Sequence, residues 1–344
     1  MSNDILVSVI VVTEDRPAFM PWLVWNYCKQ TFPLDQMELI VVDSSYDRLP
    51  LYTALLDGAR VPWPGHVGGR QVDFGPVNPA SAVNLIDMPH GTPVPVKWNK
   101  AIAAARGKYI VFFGDDDWQH PRKVELGVAA MTQITRIKDG NEIIEINECD
   151  LDFVGWSACG LYATLYGTGI PQALADPSKE NRIKVTVQSS VTMRTDFARA
   201  HQFQEEVKKA ADAVWMDGLQ GKIDEGLETA APGVKWRVLP DFDHAFWIQH
   251  PSNAAGRVDW PVPGNKRGLL NPPNMHTRGW LYTADHWNAF KARQGKAGWL
   301  DTDAQMSKLR QLLGLPKMLA MPKGWNVPTV AAPEPPPFPI MPAC

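Results

Sequence analysis

Three consecutive aspartates, residues 115–117, follow the apolar run YIVFF at residues 109–113. Such a run predicts a buried strand, and ligands of open α/β sheets bind beyond the carboxyl ends of the strands. Crowded carboxylates repel one another unless a divalent cation offsets their charge, and Mg²⁺ combines one or two carboxylates with phosphate oxygens. The position after a buried strand therefore predicts a cation site, whose remaining ligands a diphosphate substrate would offer. The alternative is a solvated acidic turn that caps a helix predicted over residues 121–131.

The segments before these aspartates alternate between strand and helix patterns. Residues 7–12, VSVIVV, form a β-branched run, and a second run, MELIVVD, covers residues 37–43. Between them Asp15 is placed to cap a helix, and Pro17 suits the first turn of that helix. This order of strand, helix and strand predicts a parallel α/β sheet with helices on its faces.

A second helix is predicted immediately before the YIVFF strand. Its apolar face has the spacing i, i+3, i+4, i+7, and Gly107 is placed to end it at the C′ position. That face consists of Trp98, Ala101, Ile102 and Ala105. Residues 60–96 are rich in Pro and Gly and predict loops. The remaining predicted elements are short strands near 72–74 and 83–86, strands over 183–193, 234–239 and 244–249, and helices within 196–222.

The composition is that of a globular chain with a sizeable core. Of the 344 residues, 45% are apolar and 21% are charged, which excludes collagen-like, coiled-coil and wholly disordered proteins. No apolar run approaches the ~20 residues that a bilayer requires, and the first residues lack the features of a signal peptide. The four cysteines show no CxxC spacing, so we predict neither a disulfide framework nor a zinc knuckle. We expect a cytoplasmic protein without a membrane span.

Charge is distributed unevenly along the chain. Residues 256–324 carry eleven Lys and Arg against four Asp, a net charge of +7, so the remainder carries −10 in a chain whose total is −3. Four tryptophans fall in the same segment, and together these features favour an anionic partner. Seven prolines in residues 328–344 predict a disordered tail. We therefore predict an α/β domain over 1–255, a basic, tryptophan-rich appendage over 256–327, and this tail.

Three stretches together resemble a known family. They are VSVIVVTEDRP at 7–17, LIVVDSS at 39–45 and KWNKAIAAARGKYIVFFGDDDWQHPRK at 97–123. In this order they are similar to the N-terminal half of family 2 glycosyltransferases of the GT-A fold, in which a DxD motif follows such a strand. The resemblance covers residues 5–125 and extends less specifically to about 255. It implies a mixed, mainly parallel sheet flanked by helices, which forms a catalytic domain for a nucleotide-diphospho-sugar such as a UDP-sugar.

The resemblance implies that the ends of three strands surround the donor. Thr13, Glu14 and Asp43 would line the pocket for the nucleotide base, although many relatives have an aromatic residue at position 14. Asp115 would face the ribose. Asp117 would bind the Mn²⁺ or Mg²⁺ that bridges the donor diphosphate.

Four further residues complete the implied donor site. Asp116 and Asn99 join the residues that bind the nucleotide-sugar. Arg16 and Lys97 would neutralise phosphate, and the alternative is that both are ordinary surface or helix-end cations.

An inverting transferase needs a carboxylate base that removes the proton of the acceptor hydroxyl. The family carries this base in a Glu-Asp pair at the start of a helix, and the best match here makes Asp217 the predicted base, with Met216 in place of the Glu. Asp212 is the reserve candidate, and an ordinary helix cap is the alternative for Asp217. Residues 246–253 resemble the family's strand that ends in His-x-x-Asn, so His250 is implied as a further metal ligand, or else as a structural histidine.

Other classes of enzyme lack their motifs in this chain. GxGxxG after the first strand, GxxxxGK[ST], GxSxG and HExxH are all missing, which argues against nicotinamide dehydrogenases, P-loop NTPases, serine hydrolases and zincins. A sugar nucleotidyltransferase ranks lower, because TEDRP replaces the Gly-rich basic loop of such enzymes. A non-catalytic module that binds a polyanion is a third hypothesis.

The acceptor is open between several classes. Relatives glycosylate polysaccharides, proteins and lipids, and some phage relatives glycosylate hydroxymethylated bases of DNA. Residues 256–325 combine cations for phosphates with rings for unstacked bases, and a flipped base would have to enter the donor site. These features motivate the hypothesis of a phage-type, DNA-modifying enzyme that acts on 5-hydroxymethylated pyrimidines in the host cytoplasm. The alternative is that these tryptophans pack the appendage onto the catalytic core and that the cations only make it soluble. The enzyme would then be a polysaccharide or protein glycosyltransferase of the same family.

Overall fold

The fold is given by a computed structural model. It describes residues 5–48, 60–62, 71–73, 82–135, 145–148, 151–156, 158–163, 168–173, 190–207, 211–220, 233–239 and 245–249. The strands are β1 (Val7–Thr13), β2 (Met37–Asp43), β3 (Arg60–Pro62), β4 (Gln71–Asp73), β5 (Ala82–Asp87), β6 (Tyr109–Phe112), β7 (Trp118–Gln119), β8 (Thr132–Thr135), β9 (Glu145–Glu148), β10 (Phe153–Trp156), β11 (Ala158–Ala163), β12 (Thr168–Ala173), β13 (Thr192–Arg194), β14 (Trp236–Leu239) and β15 (Ala245–Gln249). The helices are α1 (Met20–Cys28), α2 (Val94–Ala104), α3 (Lys123–Met131), α4 (Thr195–Ala200) and α5 (Ala211–Gln220), and single 3₁₀ turns span Pro17–Phe19 and Leu34–Gln36.

Seven strands form the central sheet, in the order β14-β10-β13-β6-β1-β2-β5. Strand β1 pairs in parallel with β2 and β6, β2 with β5, and β10 with β14. Strand β13 is antiparallel to both of its neighbours, β6 and β10. The prediction of a mixed, mainly parallel sheet flanked by helices is therefore confirmed.

The order of the strands reverses at β1. From β1 the chain moves outward to β2 and β5, and it then returns through α2 to place β6 on the other side of β1. Crevices for ligands form at the carboxyl ends of the strands at such a point. The last residues of β1 and β2, Thr13 and Asp43, are register partners, so both strands end at this edge.

Each face of the sheet carries its own hydrophobic core. Val7, Val9 and Val11 of β1 pack with α1 and α3, whereas Ile10 packs on the other face with α2, α4 and α5. This separation follows from the alternation of side chains along a strand. Burial on both faces explains why the predicted strands are continuous apolar runs.

Three smaller sheets accompany the central one in the described part of the chain. A four-stranded sheet has the order β12-β11-β15-β7, and β3-β4 and β8-β9 are two-stranded. Strand β7 begins directly after the aspartates and pairs with β15. The turn at 114–117 therefore leads from the central sheet into the four-stranded one.

Two local predictions are wrong. Asp15 does not cap the first helix: α1 begins at Met20, after the 3₁₀ turn that contains Pro17, and it has no side-chain cap. Gly107 is not at a C′ position, because α2 ends at Ala104 and its C-cap residue is already extended. Glycine is required there for another reason, since a Cβ would lie 2.6 Å from the backbone nitrogen of Ser8.

Several predictions concern residues outside those that the structure describes. The appendage over 256–327, the tail over 328–344, the boundary at 255 and the first part of the strand over 183–193 lie outside the described residues. The other predicted strands correspond to β4, β5, β14 and β15, and the helical region corresponds to α4 and α5. In the described residues, no helix has the length and apolar character needed to cross a membrane.

Candidate functional site

The end of β1 is joined to the acidic turn after β6. Thr13 Oγ1 donates a hydrogen bond of 2.7 Å to Asp115 Oδ2. Arg16 Nη1 lies 2.6 Å from Asp115 Oδ1 and 2.5 Å from Asp116 Oδ2, and the guanidinium is largely buried. Residues about 100 positions apart in the sequence thus meet in the crevice between β1 and β6.

The three aspartates are buried, with exposures of 4% for Asp115, 9% for Asp116 and 8% for Asp117. The interpretation as a solvated acidic turn is therefore wrong. Burial raises the pKa of Asp115 above its ordinary value, and the negative charge of Asp116 raises it further. The charge of Arg16 and the hydrogen bond from Thr13 act in the opposite direction without cancelling this rise. Burial disfavours the charge of Arg16, but the neighbouring carboxylates outweigh it and raise the pKa of the guanidinium. The turn concentrates negative charge in a site of low solvent access.

Helix α1 fixes the position of Asp117. Trp22 Nε1 and Asn26 Nδ2 donate to the Asp117 carbonyl at 2.8 and 3.2 Å, and Asn26 Oδ1 accepts from the Gln119 backbone at 2.9 Å. The Asp117 carboxyl group folds over Gly114, where a Cβ would overlap Oδ2 and lie 2.8 Å from Cγ. Glycine at 114 therefore leaves the space that this carboxylate occupies.

A second polar group lies where β1 and β2 end. Glu14 Oε2 accepts hydrogen bonds from Ser44 Oγ, from Lys97 Nζ at 3.3 Å and from the Gly91 nitrogen at 3.2 Å. Lys97 also donates to Ser44 Oγ at 2.9 Å, and it is only 2% exposed. The interpretation of Lys97 as a surface cation is therefore wrong. Partial burial would raise the pKa of Glu14, but the hydrogen bond from Ser44 and the charge of Lys97 lower it.

Asp43 completes this edge of the sheet. Its carboxylate is buried, and Oδ1 accepts a hydrogen bond of 2.8 Å from the Ser45 nitrogen. The structure thus brings together Thr13, Glu14 and Asp43, which are the three residues predicted to surround the base. Ser44 and Ser45 were missed in the sequence, although hydroxyl residues directly after a strand are a usual signal of a polar turn.

Asn99 lies on α2 but makes different contacts. Its Nδ2 donates to the Phe203 carbonyl at 2.9 Å and to Glu205 Oε1 at 3.0 Å, and its Oδ1 accepts from the Phe203 nitrogen at 2.9 Å. These bonds attach α2 to the segment that leads toward α5. The role of Asn99 in binding the nucleotide-sugar stays a prediction.

The proposed base and the proposed histidine ligand come from later parts of the chain. Asp217 is the seventh residue of α5, so it is not a helix cap, whereas Asp212 lies in the first turn. His250 follows β15 and lies outside the described residues. Their roles stay predictions.

The acidic turn fits a hard divalent cation by its chemistry. No group of three or more His, Cys, Asp and Glu side chains within the described ranges is arranged to hold a metal ion. Mg²⁺ needs fewer protein ligands, because one or two carboxylates suffice when phosphate oxygens supply the rest. The carboxylates at 115–117 are oxygen ligands of the kind that such a cation prefers, so the turn supplies the donor type that it needs.

No protein-family model and no curated protein matches this sequence. Among solved structures, S. aureus TarS 1-349 in complex with UDP aligns with a TM-score of 0.45 and 16% identity, over 72% of this chain and 61% of that chain. The same TarS segment in complex with UDP-GlcNAc gives 0.46 and 16%, over 72% and 60%. The mannosyltransferase PcManGT from Pyrobaculum calidifontis, in complex with GDP-Man and Mn²⁺, gives 0.46 and 15%, over 90% and 83%. The chain spans about three fifths of the TarS segment.

Proposed function

We propose that this protein is a glycosyltransferase that moves a sugar from a nucleotide-diphospho-sugar to an acceptor hydroxyl. One observation carries the proposal: three buried carboxylates and the Arg16 guanidinium meet at the carboxyl ends of β1 and β6, where the strand order reverses. A doubly wound sheet binds nucleotides at this position. The buried Lys97 beside Glu14 adds a second cation at the same edge.

A Mn²⁺ or Mg²⁺ ion is part of this proposal. Asp117 would hold it, with His250 as a further ligand, and the ion would stabilise the negative charge of the departing diphosphate. Thr13 and Arg16 orient Asp115, which is assigned to the ribose. Arg16 also orients Asp116. Trp22 and Asn26 hold the backbone of the turn in place.

The transfer is proposed to invert the anomeric carbon, as in family 2 of the GT-A glycosyltransferases. Asp217 would accept the proton of the acceptor hydroxyl while the hydroxyl oxygen attacks the anomeric carbon and the bond to the diphosphate breaks. Asp212 is the reserve for this role. Thr13, Glu14 and Asp43 are proposed to line the pocket for the nucleobase of the donor. Asn99 is proposed to contribute to binding of the nucleotide-sugar.

A UDP-sugar is the proposed donor. The charge and tryptophans of residues 256–325 support a DNA acceptor that carries 5-hydroxymethylated pyrimidines, as in phage DNA-modifying enzymes. We propose a cytoplasmic location.

A donor screen tests the proposal. Purified protein is incubated with UDP- and GDP-sugars in Mn²⁺ and in EDTA, with DNA that carries 5-hydroxymethylcytosine or with a panel of saccharides as acceptor. We expect release of the nucleoside diphosphate that EDTA abolishes, and transfer to DNA. Pyrophosphate release from a nucleoside triphosphate and a sugar phosphate would instead identify a nucleotidyltransferase, and binding of donors without turnover would identify a non-catalytic module.

A further inference from the structure

An exposed aromatic pair lies beside the donor pocket. Tyr46, the third residue after β2, is 80% exposed. Its ring stacks on the imidazole of His90, which follows β5, with ring centroids 3.6 Å apart and an angle of 16° between the planes. His90 covers one face of the tyrosine ring, so the opposite face is open to solvent.

Asp15 holds both members of this pair. Its Oδ1 accepts a hydrogen bond of 3.0 Å from the Tyr46 nitrogen, and its Oδ2 lies 2.8 Å from His90 Nε2. The Asp15 nitrogen in turn donates to Ser45 Oγ at 2.7 Å. One carboxylate therefore fixes both the backbone position of Tyr46 and the orientation of the His90 imidazole.

The backbone of Asp15 is strained, with φ at +50°, and among the described residues it is the one non-glycine residue with positive φ. Strain of this kind persists where surrounding contacts determine the conformation, and it concentrates at ligand sites. The Tyr46 backbone hydrogen bond and the His90 contact lower the pKa of Asp15, so the carboxylate that holds the pair stays ionised.

The pair borders the residues that are assigned to the base. Asp15 follows Glu14 directly, and His90 precedes Gly91, whose nitrogen donates to the Glu14 carboxylate. On the other side, Ser45 donates its backbone hydrogen bond to Asp43. Each of the three residues, Asp15, Tyr46 and His90, is therefore next in the chain to a residue that belongs to this pocket or bonds to it.

We propose that Tyr46 is the platform on which the nucleobase of the donor stacks, with His90 as its backing ring and Asp15 as the positioning residue. This inference rests on the proposed function. An aromatic face binds any base by stacking, and a ring that is already held in place loses little freedom when the ligand binds. The platform would recognise the base, while the carboxylates and cations of the crevice would act on the diphosphate and the sugar.

Titration calorimetry with ligands that do or do not contain a base tests the platform. UDP, UDP-GlcNAc and inorganic pyrophosphate are titrated, each with Mg²⁺, into the full chain and into Tyr46→Ala. We expect the variant to lose about tenfold in affinity for UDP and for UDP-GlcNAc alike, within the range of one stacked base. Its affinity for pyrophosphate should stay within about twofold, because stacking does not involve the phosphates. Tyr46→Phe should keep the affinity of the wild type.

Two further variants define the mechanism. Val94→Ala removes another exposed apolar side chain at the start of α2 and should leave all three affinities unchanged. Asp15→Asn removes the charge that contacts His90 Nε2. It should reduce the affinity for UDP by less than Tyr46→Ala does, and it should leave the affinity for pyrophosphate unchanged. If this loss were absent, Asp15 would not position the pair.

Each remaining outcome decides the proposal. UDP affinity that is unchanged in Tyr46→Ala would overturn the platform and leave the glycosyltransferase proposal intact. An equal loss for pyrophosphate would show that the substitution disturbs the phosphate site, and a loss confined to UDP-GlcNAc would place the ring against the sugar; both overturn the platform. A wild-type protein that binds none of the three ligands would overturn the platform together with the proposed function.

Discussion

The two ends of the central sheet both contain buried charge, but they balance it differently. At the amino-terminal end, Glu38 of β2 is fully buried, and it accepts hydrogen bonds from Ser8 Oγ at 2.6 Å and from the Arg106 backbone and Nε at 2.7 and 2.8 Å. Both of its oxygens and its charge therefore have partners. At the carboxyl-terminal end, three buried aspartates follow one another in a single turn, and Arg16 pairs with two of them, Asp115 and Asp116.

This difference distinguishes a structural charge from a functional one. A buried carboxylate with an opposite charge and a full set of donors fixes the packing of the elements around it. Buried acids crowded into one turn repel one another, and perturbed acids of this kind concentrate in binding sites. We therefore expect substitutions at the amino-terminal end to change stability, and substitutions at the carboxyl-terminal end to change activity.

The largest effect is expected for Asp117→Asn. This change keeps the size of the side chain and removes the charge that would hold the cation, so turnover of the donor should fall by about 10²–10³-fold, or roughly 3–4 kcal/mol in the activation free energy. The free energy of unfolding should stay within about 1 kcal/mol, because the change keeps the size of the side chain and removes the repulsion between Asp117 and the two neighbouring aspartates. Nucleoside diphosphate release and urea unfolding measure the two quantities, and turnover close to that of the wild type would remove Asp117 from the site.

Glu38→Gln should give the opposite result. It turns an acceptor into a donor against Ser8 and Arg106, so we expect a loss of about 2–3 kcal/mol in the free energy of unfolding. Donor turnover at 20–25 °C, well below the melting temperature, should be unchanged. Arg106→Ala is the companion variant: it leaves the fully buried Glu38 carboxylate without its opposite charge, so it should lower the free energy of unfolding by at least as much and should also leave turnover unchanged. A defect in turnover for Glu38→Gln without loss of stability would contradict the comparison.

Two glycines give a matched pair of smaller changes. In Gly107→Ala the new methyl group would meet the backbone of β1, 2.6 Å from the Ser8 nitrogen, so we expect a loss of about 1–3 kcal/mol in stability. In Gly114→Ala the methyl group would meet the Asp117 side chain instead, and that side chain can rotate away. We expect about a tenfold loss of donor turnover with little change in melting temperature. Equal effects of the two variants on both quantities would contradict the proposed division.

The smallest effect concerns pH. Burial and the charge of Arg122 lower the pKa of His120 to about 3, and its Nδ1 accepts the Arg122 backbone hydrogen bond. Below about pH 6.5 the unfolded chain binds a proton at this histidine, whereas the folded protein does not until the pH is near 3. The free energy of unfolding therefore has its full value above about pH 6.5 and decreases as the pH falls below it. The slope should approach about 1.4 kcal/mol per pH unit between pH 6 and 5.

His120→Asn isolates this contribution, because its amide oxygen keeps an acceptor and does not titrate. The variant should show a flatter dependence of unfolding free energy on pH over this range. The raised pKa of Asp115 acts in the opposite direction, since it lets the folded protein bind a proton first, but that effect is common to both proteins. Parallel curves would contradict the role of His120.

The sequence was sufficient for features that depend on short segments. β1, β2 and β6 are apolar runs that are buried on both faces, so their positions and the place of the aspartates at a strand end could be predicted. Contacts across the chain could not. Arg16 reaches Asp115 from 99 positions away, and only the fold shows that Lys97 is buried against Ser44 and Glu14.

The wrong predictions have the same cause. Asp15 has the residue type of a helix cap, but its carboxylate is taken by Tyr46 and His90, which come from two other strand ends. Gly107 follows a helix, as a C′ glycine does, but close packing against β1 is what requires it. In both cases a tertiary contact overrides a local preference that a sequence pattern can show.

Uptake of Mn²⁺ tests the central claim most directly. The electron paramagnetic resonance signal of free Mn²⁺ is measured with the wild type, Asp117→Asn and Glu38→Gln, each with and without UDP. We predict that the wild type and Glu38→Gln bind about one Mn²⁺ per chain in the presence of UDP, and that Asp117→Asn binds it at least about tenfold more weakly. Uptake by Asp117→Asn equal to that of the wild type, or no uptake by the wild type with UDP, would contradict the assignment of the acidic turn to a cation and a diphosphate.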